Sequence, residues 1–159
     1  MQEQNQSSLE EELSNFVLAY YRSAAYRGET EINKYYAPSA RIWRDSMDIV
    51  GKEVNQFIEK NEPIFPILEI GDKLAIQSFH GLSLPHGFNL YVEGIISIEE
   101  DVQEFKQSFT IYEIQERFFI YSDHLTLSSV NLDTTKLNSI YQNLSIQIPF
   151  KHNPNHKKK

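Results

Sequence analysis

The amino-terminal part of the chain carries apolar residues at helical spacing. Ser8 and Glu11 have the spacing of a capping box, so a first helix is predicted to begin at Ser8, after a disordered stretch at residues 1–7. Its apolar stripe consists of Leu9, Leu13, Phe16, Val17, Tyr20, Tyr21 and Ala24. Two shorter helices, each followed by a proline, are predicted at residues 29–36 and 52–60.

A different pattern begins after residue 71. Four segments alternate apolar and polar residues, as half-buried strands do, and polar or Gly/Pro-containing loops separate them. These segments are residues 72–79, 88–98, 104–113 and 117–127, and a shorter strand is predicted at residues 40–43. Helices followed by a run of strands predict an α+β fold, in which three amino-terminal helices pack on one face of a strongly curved antiparallel sheet.

The chain is predicted to hold one domain, at residues 8–127, since 159 residues is an ordinary single-domain length. Residues 128–159 are predicted to be a carboxyl-terminal extension, within which residues 134–144 could form a docked helix. The extension ends in a basic tail that has four lysines and no acid after Phe150.

The distribution of charge argues against nucleic acid as a partner of the folded part. The whole chain has a net charge of -7, but Met1 to Phe150 holds 11 basic and 22 acidic residues, which gives -11. A phosphate backbone is attracted by the opposite field. Direct RNA or DNA binding by the domain is therefore not expected.

Composition and motifs also limit the chemistry. There is no cysteine, no amino-terminal signal pattern and no apolar run of membrane-spanning length, which together favour a soluble protein of a reducing compartment with no membrane partner. The five histidines do not form a metal-binding spacing, and phosphate-binding glycine loops and nucleophile motifs are absent from the sequence. No metal and no cofactor are predicted.

An ordered set of residues resembles the nuclear transport factor 2 family. The set runs from about residue 9 to residue 127, and it consists of Phe16-Val17-x-x-Tyr20-Tyr21, Tyr35, Trp43, Gly51, Pro63, Gly94, Phe105-x-Gln107-x-Phe109 and Ser122-Asp123. The resemblance implies a cone-shaped domain that acts by binding other proteins. It also implies dimerisation, with a second copy or with a homologous domain.

Two kinds of family member define the expected partners. One is a homodimer that carries the GDP-bound GTPase Ran through the nuclear pore on Phe-Gly nucleoporins, and the other is the small cofactor of a messenger-RNA export receptor. The chain is similar to both. Ser122-Asp123 resembles the export cofactor, whereas the Phe-Arg that follows in that cofactor is replaced here by Leu125 and Thr126. The implied location is the nucleus, the cytoplasm and the nuclear envelope pore.

The resemblance also implies binding residues. An acidic loop that would meet basic residues of Ran falls on Glu99, Glu100 and Asp101, and an apolar mouth for an aromatic side chain falls on Trp43, Ile67, Tyr91 and His124. The nucleoporin contact on the first helix falls on Leu9. Arg44 stands where the transport factor has an acid that pairs with a lysine of Ran, so this cation is expected to repel Ran unless neighbouring Asp45 takes over the role of that acid.

A small-molecule dehydratase or isomerase of the same cone fold is the alternative. Such an enzyme needs an acid and a base inside its cavity, with pKa values separated by burial. His124, Asp45, Tyr21 and Tyr91 could supply these groups, although the sequence does not show that they converge. Protein binding is the preferred interpretation, and no catalytic residue is assigned.

Overall fold

The computed structural model describes residues 2–25, 31–60, 62–66, 68, 72–99, 101–130, 135 and 146–149. In chain order the helices are α1 (Gln2–Ala25) and α2 (Val54–Glu59), with short 3-10 turns at Glu31–Tyr35 and Asp45–Met47. The strands are β1 (Tyr36–Arg44), β2 (Ile49–Glu53), β3 (Lys73–Leu84), β4 (Gly87–Ile98), β5 (Asp101–Ile114), β6 (Arg117–Ser129) and β7 (Ile146–Pro149).

Helix α1 is longer than the sequence pattern predicts. It begins at Gln2, so Ser8 lies within the helix and the predicted start at a capping box is wrong. Residues 2–7 include Gln and Glu, which have good helix propensity and can continue the helix on the amino-terminal side of Ser8. The predicted apolar stripe is confirmed, because Leu13, Val17 and Tyr20 are among its buried residues.

The expectation of three amino-terminal helices is wrong. In the described part of the chain, α1 is the one helix longer than a few turns; residues 31–35 form a 3-10 turn, and α2 has six residues. The third predicted helix is short because Lys52 and Glu53 pair with β1 as part of strand β2. Val54 and Phe57 of α2 are buried, whereas Ile58 is 40% exposed.

The four predicted strands are confirmed, and each extends beyond its predicted range at one end or at both. They belong to a seven-stranded sheet in the order β2-β1-β6-β5-β4-β3-β7. The sheet is mixed and not purely antiparallel, because β1 and β6 run parallel. A parallel pair needs a long connection, and the chain between β1 and β6 supplies one. Register shifts in four of the strand pairs mark bulges, which bend and twist a sheet locally.

The core lies between α1 and the inner face of the sheet. Alternation along β5 buries Phe105, Gln107, Phe109 and Ile111, as the period-two pattern predicts. Strand β7 adds residues of the predicted carboxyl-terminal extension to the sheet, beside β3. The helix predicted at residues 134–144 lies outside the described residues, apart from residue 135. None of the described helices is long and apolar enough to cross a membrane.

Candidate functional site

Six polar side chains meet inside the domain, between α1 and the sheet. We call them the core polar cluster, and they are Tyr20, Tyr21, Tyr36, Arg44, Gln107 and Asp123. All six residues are less than 9% exposed. Buried polar groups are stable only when they are hydrogen-bonded to one another, so the pairing inside this cluster determines what it can do.

Asp123 is the centre of the core polar cluster. Its carboxylate accepts hydrogen bonds from the Tyr36 hydroxyl and from Nε2 of Gln107, the latter at 2.7 Å. Because Tyr36 donates its proton to Asp123, Tyr20 donates to the Tyr36 oxygen at 2.6 Å. Tyr21 in turn donates to Oε1 of Gln107 at 2.7 Å. Two hydrogen-bond chains therefore lead from helix α1 to one carboxylate on β6.

Arg44 neutralises this carboxylate from β1. Its Nη1 and Nη2 atoms lie 3.1 and 3.0 Å from the two Asp123 carboxylate oxygens, which is bidentate geometry. The sequence interpretation placed Arg44 at a partner-binding surface, and this is wrong, since Arg44 is 4% exposed and points inward. On β1 its side chain shares the inner face with Ile42, while Trp43 between them points outward.

Burial and charge shift the pKa values of this cluster. Loss of hydration raises the pKa values of Tyr20, Tyr21 and Tyr36 above the ordinary value, and the negative charge of Asp123 raises them further. Burial by itself would lower the pKa of Arg44, but the attraction of Asp123 outweighs it and the pKa is raised. At neutral pH the tyrosines are therefore neutral and Arg44 is charged.

An apolar cavity adjoins Arg44 at the end of the sheet near α2. Its volume is about 160 Å³, and it is lined by Arg44, Ser46, Met47, Ile49, Phe57, Pro63, Ile64, Phe65, Pro66, Leu125 and Leu127. An apolar cavity of about 150 Å³ accepts one benzene-sized molecule. This cavity is therefore the right size for one apolar side chain.

The predicted apolar mouth occupies the outer face of the sheet instead. Trp43 and His124 are register neighbours on β1 and β6, and their rings stack at 6.4 Å. Tyr91 lies on the same face, on β4, which is two strands away from β6, and its ring centroid is 5.1 Å from that of His80, on which it stacks. We call His80, Tyr91, Ser108, His124 and Trp43 the outer row, because they are successive register partners across five strands. Predicted Ile67 lies outside the described residues.

His124 and Asp45 do come together, which the sequence could not show. Nε2 of His124 lies 2.9 and 3.0 Å from the carboxylate oxygens of Asp45, and Oγ1 of Thr126 donates to Asp45 at 3.0 Å. The hydrogen bond from His124, followed by that from Thr126, lowers the pKa of Asp45. Both side chains of the pair are about half exposed, and His124 borders a shallow groove of about 260 Å³ over β4, β5 and β6.

The acidic loop lies in the hairpin that joins β4 and β5. Ile98 pairs with Asp101, and Glu99 has the left-handed backbone conformation with φ 51°. The buried Asp72 carboxylate accepts a hydrogen bond from the Glu99 backbone N–H at 3.0 Å. Ile98 lies seven positions after Tyr91 on β4, which is about 23 Å along a strand. The acidic loop and the outer row are thus two separate surfaces; Glu100 itself is outside the described residues.

Leu9, the predicted nucleoporin contact, is half-buried and packs against the core from the first half of α1. Sequence reasoning missed the apolar cavity as a site, and it missed the pairing of Arg44 with Asp123. Asp123 and Gln107 belong to the residues that carry the family resemblance, so their importance could be predicted. The pairing of Arg44 with Asp123 could not, because arginine is rarely buried and no sequence pattern marks a buried one.

Among the comparisons with known proteins, the solved structures identify the fold. No known protein-family model matches the sequence, and no curated protein is detectably similar to it. Among solved structures, an NTF2-like protein of unknown function from Pseudomonas putida is similar with a TM-score of 0.64 and 10% identity, over 82% of this chain and 92% of that one.

Two further structures resemble the chain. Candida albicans Mtr2 is similar with a TM-score of 0.56 and 12% identity, over 77% of this chain and 97% of that one. The association domain of C. elegans CaMKII is similar with a TM-score of 0.63 and 6% identity, over 79% and 98%. The chain therefore has the NTF2-like fold. At these identities the likeness defines the architecture alone, because this fold carries many functions.

Proposed function

We propose that this protein is a nucleocytoplasmic transport accessory factor that acts by binding other proteins. The observation that carries the proposal is the mutual pairing of the polar groups in the core polar cluster. A small-molecule enzyme of this fold would need free acid and base groups in an inner cavity, whereas here Tyr20, Tyr36, Arg44 and Asp123 are bonded to one another. The outer face of the sheet, the acidic hairpin and the apolar cavity are then the places where a partner would bind, which favours a binding protein.

The outer face of the sheet is the proposed dimer surface, for a second copy or a homologous domain. Aromatic side chains are enriched at protein interfaces. The outer row presents Trp43, Tyr91 and two histidines on this face, and Tyr91 is 37% exposed. The likeness to a CaMKII association domain supports assembly through this fold.

The apolar cavity is the proposed site for one side chain of a protein partner. It has the volume of a single aromatic or branched aliphatic side chain, and Met47, which is exposed, is one of its lining residues. A buried anchor of this kind concentrates binding energy in protein interfaces. Phe-Gly nucleoporins would bind separately, on the helix surface that includes Leu9.

The choice between Ran-GDP and a messenger-RNA export receptor rests on the two acidic surfaces. Because Arg44 points inward, it places no cation at the Ran-binding surface, and Asp45 is the exposed acid beside Trp43. The β4–β5 hairpin adds Glu99 and Asp101. These features support the Ran-GDP carrier, while Ser122-Asp123 and the likeness to Mtr2 keep the export cofactor as the other form of the same proposal.

The first test measures mass by light scattering, for the chain alone, with Ran-GDP, and with the NTF2-like domain of the export receptor. A stable dimer that gains mass with Ran-GDP is the expected result for a carrier. A poorly soluble chain that is rescued by the receptor domain identifies the export cofactor. A dimer that ignores both partners would refute the proposal.

Variants then assign the surfaces. Tyr91→Glu is expected to convert the dimer to monomer, and Ile114→Glu at the β5–β6 turn is the matched control, since it adds the same charge at an exposed apolar residue. Glu99→Lys with Asp101→Lys is expected to abolish salt-sensitive Ran binding. Unchanged Ran binding by this double variant would remove the acidic loop from the proposal.

The second candidate function is a dehydratase or isomerase, which the contact between His124 and Asp45 favours. A His–carboxylate pair beside a groove can move a proton, and Tyr91 borders the same groove. Turnover of small carbonyl or hydroxyl compounds that is lost in His124→Asn and kept in His80→Asn would support an enzyme. The absence of turnover in both wild type and variants would reject it.

A further inference from the structure

The apolar cavity has an arginine in its wall, and an arginine in a pocket ordinarily indicates an anionic ligand. The other ten lining residues offer no second charge. The state of the Arg44 guanidinium therefore decides which class of occupant the cavity accepts. This inference rests on the proposed function of the cavity as a binding site.

The donors of Arg44 are already engaged by the protein. Nε and Nη2 donate to the Ile64 carbonyl at 3.2 and 2.8 Å, and Nη1 donates to the Trp43 carbonyl at 2.8 Å. The remaining bonds go to the carboxylate of Asp123, as described above, and to its backbone carbonyl at 3.3 Å. A guanidinium has five N–H groups, and these contacts involve all three of its nitrogens.

The charge of Arg44 is balanced inside the wall as well. Asp123 is fully buried and holds the guanidinium through both oxygens, and its own position is fixed by Tyr36 and Gln107. The two bonds to the Ile64 carbonyl also hold residues 63–66 in place as one side of the cavity. Arg44 thus shapes the cavity without presenting a free charge or a free donor to it.

We propose that the Arg44–Asp123 pair is the specificity-determining element of the apolar cavity and makes it select an uncharged apolar group, a phenyl or branched aliphatic side chain, and exclude an anion. A carboxylate entering the cavity would lose its hydration and find no unpaired donor in exchange. An uncharged ring loses little hydration and gains apolar contacts with residues such as Phe57, Ile64 and Leu125.

The test uses two probes that share a phenyl ring, benzene and benzoate, whose binding is followed by amide chemical shifts of the full chain at pH 7. Wild type is expected to bind benzene at least tenfold more tightly than benzoate. Asp123→Asn removes the balancing charge and keeps the side-chain shape, so benzoate binding should strengthen at least tenfold relative to benzene. Glu53→Gln is the matched control, because it removes the acid of the exposed Arg41–Glu53 pair and should leave the ratio unchanged.

A second variant protects the test against loss of folding in Asp123→Asn. Arg44→Met combined with Asp123→Asn removes both charges, so the benzoate-to-benzene ratio should stay within threefold of wild type even if both probes bind more weakly. Wild-type preference for benzoate, an unchanged ratio in folded Asp123→Asn, or a fall of benzoate alone in the double variant would overturn the inference. A wild type that binds neither probe would also overturn it, while partner binding in the light-scattering experiment would leave the proposed function standing.

Discussion

The buried ion pair between Arg44 and Asp123 gives the sharpest prediction for stability. Arg44→Met leaves the Asp123 carboxylate in the core without its cation, and Asp123→Asn leaves the Arg44 cation without its anion. Each single change strands a buried charge, which costs about 3–5 kcal/mol. For a chain of this length, each kcal/mol lowers the melting temperature by about 2–4 °C, so each single variant should melt roughly 6–20 °C below wild type.

The double variant is expected to cost clearly less than the sum of the two single changes. It holds no buried charge at these two positions, and the amide oxygen introduced by Asp123→Asn still accepts a hydrogen bond from Tyr36 or Gln107. If the two single changes were independent, their destabilisation would add to about 6–10 kcal/mol. Because the double variant removes both charges, the two changes should instead be coupled, with a coupling energy of about 3 kcal/mol.

Urea unfolding, followed by circular dichroism, measures all four proteins of this double-mutant cycle. The exposed pair Arg41–Glu53, with side chains 54% and 50% exposed, provides the matched cycle of Arg41→Met and Glu53→Gln. Exposed pairs couple by about 1 kcal/mol or less. Single changes at Arg44 and Asp123 that cost less than about 1 kcal/mol, or that add up in the double variant, would refute the assignment of a buried, mutually neutralised pair.

Three further predictions concern the buried tyrosines, the His124–Asp45 pair and two glycines. Burial raises the pKa values of the three tyrosines of the core polar cluster. Stability should therefore be intact below about pH 10, where unfolded tyrosine begins to ionise, and should fall above that pH by up to about 1.4 kcal/mol per pH unit for each tyrosine. Alkaline titration followed by tyrosinate absorption checks this, and Tyr20→Phe should make the loss less steep. In His124→Asn the pKa of Asp45 should rise toward its ordinary value, because the variant lacks the imidazole whose hydrogen bond contributes most to lowering that pKa. Carboxyl NMR titration measures the shift, and an unmoved pKa would contradict the contact between His124 and Asp45. Gly94→Ala should cost about 1–3 kcal/mol in urea unfolding, because its new methyl carbon would lie 2.3 Å from a backbone oxygen of β3, whereas Gly81→Ala meets the end of a flexible leucine at 2.7 Å and should cost less; equal costs would contradict this difference.

The strands were the most predictable part of the fold. Period-two alternation depends only on which residues face the core, so the four segments from β3 to β6 and the buried face of β5 could be predicted from the sequence. The helices were less predictable, since residues 52 and 53 have helical surroundings in sequence but a strand partner in space. Pairing with β1 overrode local propensity there, as tertiary contacts often do.

The candidate site could be predicted only in fragments. Trp43 and His124 stack on each other, and Tyr91 lies on the same face of the sheet. Their assignment to an apolar mouth remains a prediction; Tyr91 and His124 border the shallow groove, whereas the apolar cavity is lined by other residues. The inward direction of Arg44 could not be predicted, because one residue of strand shift decides the face on which a side chain lies.

The α+β class, the acidic character of the domain and the aromatic residues of the core could be predicted from the chain alone, because these depend on composition and on periodicity. The contacts of Asp123 on β6 with Arg44 and Tyr36 on β1 and with Gln107 on β5, which Tyr20 and Tyr21 extend to α1, depend instead on three-dimensional packing. These partners are 16 to 87 residues apart in sequence. No local pattern encodes such contacts, since they arise where the chain's distant segments are packed together and each buried polar group must find a partner.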